Sequence, residues 1–364
     1  MGGFYSRRLS RRGFLSASLG SAALALPGVA SASAAPPRDE IVGLLRVGTL
    51  TGEPVIPLAR KHDLSTPALM TANFGLDELL PQTRSDVLLP TAHLLPAGLR
   101  SGILINLAEY RLYYLKGGAL LDSAPIGIGL PGKETPTGKT SIIAKKENPT
   151  WYPTEQARKE HPDWPTSVEP GITNPLGAHA LYLAWPAYLI HGSSNDFGIG
   201  RPFTRGCIRM FADDVKRLFE TVPVGTQVEV VDQPVKLGWH KGELFLEAHP
   251  DLEQLDELRL RLAFTPKPAP DLSAPIAAIA GPRAADVDWD VVNAAAERRA
   301  GVPVQITSPR TRSVALFAPG AQIHGGLAAA LAARGGLTPQ QAAARADVLK
   351  ALMSEELRKD PYGV

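Results

Sequence analysis

The feature that most constrains this chain is the stretch 102–231, where apolar runs are short and turn residues interrupt them at close intervals. "ILINLAEYRLYYL" at 103–115 carries two runs rich in Ile, Leu and Tyr. "KGGA" at Lys116–Ala119 then reads as a hairpin turn, and "LLDSAPIGIG" follows as another strand. "ALYLAW" and "AYLIHG" flank a turn at Pro186, and "TQVEVV" at 226–231 alternates. Only "DDVKRLFETV" at 213–222 has a helical period here. The 33 prolines and 34 glycines of the 364-residue chain suit many turns and short strands. A mainly β fold, a sheet-based sandwich or barrel, is the expectation.

The flanks read differently. At 46–90, a strand-like start, "IPLARKHDL", "TPALMTANF" and a closing "DVLLP" spell strand, helix, helix, strand. Thr66 and Pro67 suit an N-cap and first-turn pair. Beyond Val231, a hairpin turning at Lys241-Gly242 precedes a helix and strand in "DVDWDVVNAAAERRAGVPVQIT". Thr338, Pro339 and Gln341 fit the N-cap, N1 and N3 of a capping box opening a last helix to about Arg358. The expected division is 1–34, 41–92, 101–232 and a mixed, helical extension at 233–364.

The N-terminus has the order of an export signal. Arg7, Arg8, Arg11 and Arg12 are followed by a weakly apolar run and by small-residue cleavage sites near Ala32 or Ala34. "SRRGFL" at Ser10–Leu15 is the twin-arginine form of such a signal. A periplasmic or cell-wall protein beginning near residue 35 is expected.

Several function classes fall away. A net charge of +2 offers no footprint for nucleic acid. "GIGLPG" at Gly127–Gly132 spells a dinucleotide fingerprint, but Pro131 and the turn-rich "KETPTGK" leave no helix to hold a pyrophosphate. The eight histidines are dispersed without metal-ligand spacing, so no metal is expected, and His161, His179, His240 and His249 are read as surface or packing residues.

Cys207 is the only cysteine, which excludes an internal disulfide in an exported chain. It is a buried passenger, an intermolecular bridge or a nucleophile. Its neighbours favour the last. His191 ends an apolar strand sixteen residues earlier (207 − 191), and an imidazole that takes the thiol proton makes a nucleophile. Arg205 and Arg209 add positive charge, so a thiol more acidic than a free cysteine is expected. Gly206 permits a tight turn that aims the N–H groups of Gly206 and Cys207 at an oxyanion.

"IHGSSNDFGIGRPFTRGCIRM" resembles the active-site signature of the L,D-transpeptidase catalytic domain, the YkuD family. "INLAEYRLYYL", "GKETPTG", "NPTWYP", "NPLG" and "PVGTQV" fall in that family's order, over about Gly102–Val231. The resemblance implies a β-sandwich-like catalytic fold, peptidoglycan stem peptides as substrate, Cys207 as nucleophile and His191 as general base and acid, with no metal or cofactor. His191 then needs an orienting acceptor, for which the backbone carbonyl near Gly192 is the choice. The family often has Ser-His-Gly-Cys where this chain has Thr204-Arg205-Gly206-Cys207, so the adjacent histidine's role passes to Arg205 or to backbone. Thr204, Arg205 and Arg209 are candidate substrate contacts, the arginines for stem carboxylates or as structural ion pairs. Trp151 and Tyr152 are candidates to cap the cleft or to fill a core. The 41–92 unit resembles a LysM module, which implies glycan binding, although its opening reads Gly52-Glu53-Pro54-Val55 and departs from the usual pattern. The acyl acceptor stays open: diaminopimelate, a lysine of an outer-membrane protein, or water. A non-catalytic wall-binding protein is the rival of a different class.

Overall fold

The computed structural model describes residues 39–193, 196–323, 326–332, 336–359 and 362. The export signal expected at 1–34 lies outside them. The centre of the fold is one mixed eight-stranded sheet. From one edge to the other its strands are Ile208–Arg209, Leu189–His191, His179–Leu183, Gly138–Glu147, Gln227–Val231, Gly102–Asn106, Arg111–Lys116 and Ala119–Pro125. The last hairpin is closed by Gly117 and Gly118 at φ +58° and +88°. Both central turn residues at positive φ give the turn whose twist matches the strands, as the glycine pair predicts.

Alternation sorts the side chains. Ile103 and Ile105 enter one core, while Leu104 joins Tyr113, Leu115 and Leu95 on the opposite face. Both faces of this strand are covered, which explains its unbroken apolar run. Ile208 and Ala124, from the two edge strands, belong to the same buried cluster. The sheet therefore curls around that core, and its ends meet where Gly127 and Arg209 exchange N–H···O bonds of 2.8 and 3.0 Å. Helix Ala212–Thr221 follows that seam and buries Val215 and Leu218 in the same core. "GIGLPG" forms the short strand Ile128–Gly129 and a turn, with no helix after it.

In the N-terminal region, strands Arg46–Glu53 and Gln82–Leu89 pair antiparallel around helices Val55–Lys61 and Thr66–Ala72. The cap of the second helix is Ser65, whose Oγ accepts from Ala68 N at 3.2 Å, not Thr66. Either hydroxyl suits a cap, and Pro67 in the first turn is compatible with both. Helix Leu252–Arg261 of the C-terminal region puts Leu255 and Leu258 into the same core as Leu50, Leu69 and Leu89. Farther on, Thr338 and Gln341 form the expected reciprocal capping box (3.0 and 3.3 Å) at the head of helix Pro339–Lys359. The described residues all fall in one compact unit, Pro37–Val364.

A buried ionic knot ties these regions together. Lys236 Nζ lies 2.7 Å from Glu109 Oε2, 2.9 Å from Glu247 Oε1 and 2.7 Å from Leu94 O. Tyr113 donates to Glu109 at 2.7 Å, and His249 Nε2 lies 2.9 Å from Glu247. His93, Glu109 and Glu247 are grouped closely enough to suggest a cation site. The Lys236 ammonium already bridges the two carboxylates there.

Candidate active site

Two neighbouring strands bring the candidate pair together. Leu189–His191 runs parallel to Ile208–Arg209, with Ile190 opposite Ile208 and His191 opposite Arg209. Extending the register back one residue sets Cys207 beside Leu189. His191 is then the diagonal neighbour of Cys207 on one face, because side chains repeat every second residue.

His191 is fully buried, and its Nδ1 lies 2.6 Å from the carbonyl oxygen of Gly192. A carbonyl only accepts, so Nδ1 carries the proton and Nε2 holds the lone pair. Nε2 has no hydrogen-bond partner among the described residues. The arrangement is a base with its tautomer set by backbone and its reactive nitrogen open. Burial, and then the charge of Arg209, push the imidazole down to about 3, against the Gly192 carbonyl, which acts the other way.

Cys207 is 6% exposed and lines a cleft of about 1030 Å³. Its Sγ lies 3.6 Å from Ala187 O. The expected acidic thiol is not found. Burial pushes the Cys207 thiol up to about 11, outweighing the Leu189 backbone N–H and the Arg209 charge that favour the thiolate. Desolvation penalises the charged form more than one guanidinium recovers. The resting pair is a neutral thiol beside a neutral imidazole.

Three further expectations are corrected by the surroundings of Cys207. The Gly206 N–H was expected to serve an oxyanion, but it donates to Thr204 Oγ1 at 3.1 Å. Gly206 instead supplies a conformation: its φ is +110°, and a Cβ there would lie 2.8 Å from Tyr188 Cε1. Thr204 was a candidate substrate contact, yet it is fully buried and donates to Cys207 O at 2.7 Å, stapling the loop from within. Arg209 was a candidate for binding stem carboxylates. It is wholly buried, with its guanidinium 5.0 Å from the Phe203 ring, and is not among the cleft-lining residues. Its charge bears on the candidate pair, His191 and Cys207.

The other candidates do reach the cleft. Arg205 lines it, paired with Glu160 and lying over Trp164. Tyr152 lines it and is exposed, while Trp151 lines it with its ring packed against Trp164 and Tyr362, at centroid distances of 5.8 and 4.7 Å. Residues not singled out in the sequence complete the wall: Lys133, Glu160, Tyr182, Trp185 and Tyr188. Lys133 stands within "GKETPTG", so its motif was visible while its partner was not. Glu160 ends the short helix Glu155–Glu160 and carried no signal of its own.

The arrangement is a buried base, a thiol lining an aromatic-walled cleft, and a buried cation opposite the base on the neighbouring strand. It suits acyl transfer through a thioester. Comparisons with known proteins agree. Residues 100–230 match the L,D-transpeptidase catalytic domain, YkuD. The chain is 37% identical over 266 residues to the probable L,D-transpeptidase ErfK/SrfK of Salmonella typhimurium, covering 71% of this chain and 84% of that protein. It is 35% identical over 307 residues to the probable L,D-transpeptidase YcfS of Escherichia coli, covering 79% and 93%. The NMR structure of the catalytic domain from the Enterococcus faecium L,D-transpeptidase is similar at 26% identity and a TM-score of 0.30, covering 37% of this chain and 99% of that one. Identity at this level over most of a relative's length, with the Cys207–His191 pair inside the matched segment, shows that the chain belongs to the L,D-transpeptidase family.

Proposed function

We propose that this chain is a peptidoglycan L,D-transpeptidase that takes the acyl group of a tetrapeptide stem. Cys207 Sγ attacks the carbonyl between diaminopimelate and the terminal D-Ala. His191 Nε2 takes the thiol proton and passes it to the departing amine of D-Ala, leaving a thioester on Cys207. An amine then attacks the thioester and gives its proton back through His191, freeing the thiol. The observation that carries this reading is the open Nε2 of His191, fixed as the acceptor by Gly192, on the strand paired with Ile208–Arg209, which Cys207 immediately precedes.

The test is incubation with purified tetrapeptide muropeptide, read by mass spectrometry. Free D-Ala and an enzyme heavier by the acyl group are expected. Cys207→Ala should give neither. His191→Ala should acylate slower by roughly 10²–10⁴-fold. D-Ala released by folded Cys207→Ala protein would overturn the mechanism. The products assign the acceptor: a crosslinked dimer for diaminopimelate, a peptide-bearing protein for an outer-membrane protein lysine, a shortened monomer for water.

The same reading includes export and wall attachment. The order of basic, apolar and cleavage residues at 1–34 supports twin-arginine export to the periplasm. Arg11→Lys with Arg12→Lys should abolish it, and normal export of that variant would assign the general secretory route. The strand–helix–helix–strand order at 46–89 supports a LysM-like glycan-binding role. Retention of Cys207→Ala protein on peptide-free glycan strands is expected, and its loss on deleting 41–92 would be uninformative beside a competition by free oligosaccharide, which should release it. Among the described residues no helix is long and apolar enough to cross a membrane.

A further inference from the structure

At the cleft mouth, three donors from separate segments converge on one carboxylate. Lys133 Nζ and Arg205 Nη2 both bind Glu160 Oε2, and Gln156 Nε2 donates to Glu160 Oε1 at 2.9 Å. All four side chains line the same cleft as Cys207. We propose that Lys133, Arg205 and Gln156 form the subsite for the free terminal carboxylate of the leaving residue, and that Glu160 fills this subsite when substrate is absent. The inference rests on the acyl-transfer reading of Cys207.

The donors are built to hold position. Arg205 lies over Trp164, which is itself stacked on His161 at 4.2 Å and an interplanar angle of 5°. Thr135 Oγ1 donates to Gly206 O at 2.9 Å and accepts from Gly129 N at 3.0 Å. That bond staples the Lys133 turn to the Cys207 loop. Glu160, by contrast, ends a six-residue surface helix and is about one-third exposed. It can rotate into water when another carboxylate competes for its donors. A substrate carboxylate would then take over the same charge-assisted bonds. An enzyme so equipped selects a stem whose next residue is its last, because a longer stem carries an amide there and no charge. The recognising chemistry is a chain-terminal carboxylate one residue beyond the scissile bond.

The experiment compares two tetrapeptide donors, one with a free terminal carboxylate and one capped as the primary carboxamide, by rate of acyl-enzyme formation. The wild type is expected to favour the acid by roughly 10- to 100-fold in kcat/KM, the scale of a hydrogen bond to a charged group. Lys133→Gln and Arg205→Gln should collapse that ratio toward one. Glu160→Gln should lower KM for the acid, since the internal competitor loses its charge. A wild-type ratio near one, an unchanged ratio in both cation variants, or an equal fall on both donors overturns the subsite while leaving the Cys207 mechanism standing. Acylation by neither donor in the wild type overturns the mechanism and the subsite together.

Discussion

His191 and Arg209 stand opposite each other in parallel register, and the arginine's charge opposes protonation of the imidazole while favouring the thiolate of Cys207. One buried guanidinium therefore biases both partners of the proton transfer. Arg209→Met keeps much of the packing against Phe203 and removes the charge. Iodoacetamide should then alkylate Cys207 more slowly at fixed pH, and the His191 imidazole should titrate higher by NMR. Faster alkylation, or an unmoved imidazole, would show that Arg209 acts only in packing.

The raised thiol and depressed imidazole also set a pH window for stability. His191 titrates at about 3 in the fold, against ~6.5 in an unfolded chain. Its neutral form is favoured by folding, so its contribution is complete above ~6.5 and declines as pH falls toward 3. Cys207 titrates at about 11 in the fold, against ~8.5 unfolded. Its contribution is complete below ~8.5 and declines as pH rises toward 11. Urea midpoints should show that Cys207→Ala flattens the alkaline decline and His191→Ala the acid one. Alkylation of the wild type should keep climbing well past the free-thiol midpoint.

Gly206→Ala tests the loop geometry. The backbone there has φ +110°, and the new Cβ would meet Tyr188 Cε1 at 2.8 Å. Strain of this type costs roughly 1–3 kcal/mol. Displacing the adjacent sulfur should lower acylation by about 10²-fold, the usual penalty for a misplacement near 1 Å. Circular dichroism should remain that of a folded protein. Full activity would mean that the loop tolerates a second conformation.

Lys236→Met tests the knot beneath the catalytic sheet. Lys236, Glu109 and Glu247 are each almost wholly buried. Removing the ammonium leaves two carboxylates uncompensated, which should cost about 3–5 kcal/mol in urea unfolding. Lys236→Met combined with Glu109→Gln and Glu247→Gln should recover much of that loss. A single variant as stable as the wild type would mean that the carboxylates are neutral in the fold.

Much of the site was legible because the chemistry is written in rare residues. One cysteine, and a histidine ending an apolar strand before a glycine-rich loop, pointed to a pair that the parallel register of 189–191 and 208–209 brings together. The glycine pair at 117–118 and the Thr338–Gln341 capping box were legible for a similar reason: each is a local arrangement determined by neighbours within a few positions. The helix cap moved from Thr66 to Ser65 because two adjacent hydroxyls offer the same bond and only the path of the chain chooses between them.

The acid–base character of the pair was not legible, because burial reverses the direction that the nearby arginines favour for the thiol. Charge near Cys207 is visible in "TRGCIR", but burial is not, and burial decides the thiol. The roles of Thr204, Gly206 and Arg209 changed for the same reason. Their side chains or N–H groups are used inside the loop and core, a fact that residue type alone does not contain.

By itself, then, the sequence determined the short-strand β architecture, the hairpin turns, the candidate nucleophile and base, and the family. These depend on local conformational preference and intrinsic reactivity, which travel with residue type and near spacing. Only the tertiary structure decided that the sheet curls until Gly127 meets Arg209, that Glu160 sits between Lys133 and Arg205, and that Lys236 joins Glu109 to Glu247. Those contacts join residues tens to more than a hundred positions apart. Their energies depend on desolvation and distance, and both are defined only once the chain has closed around them.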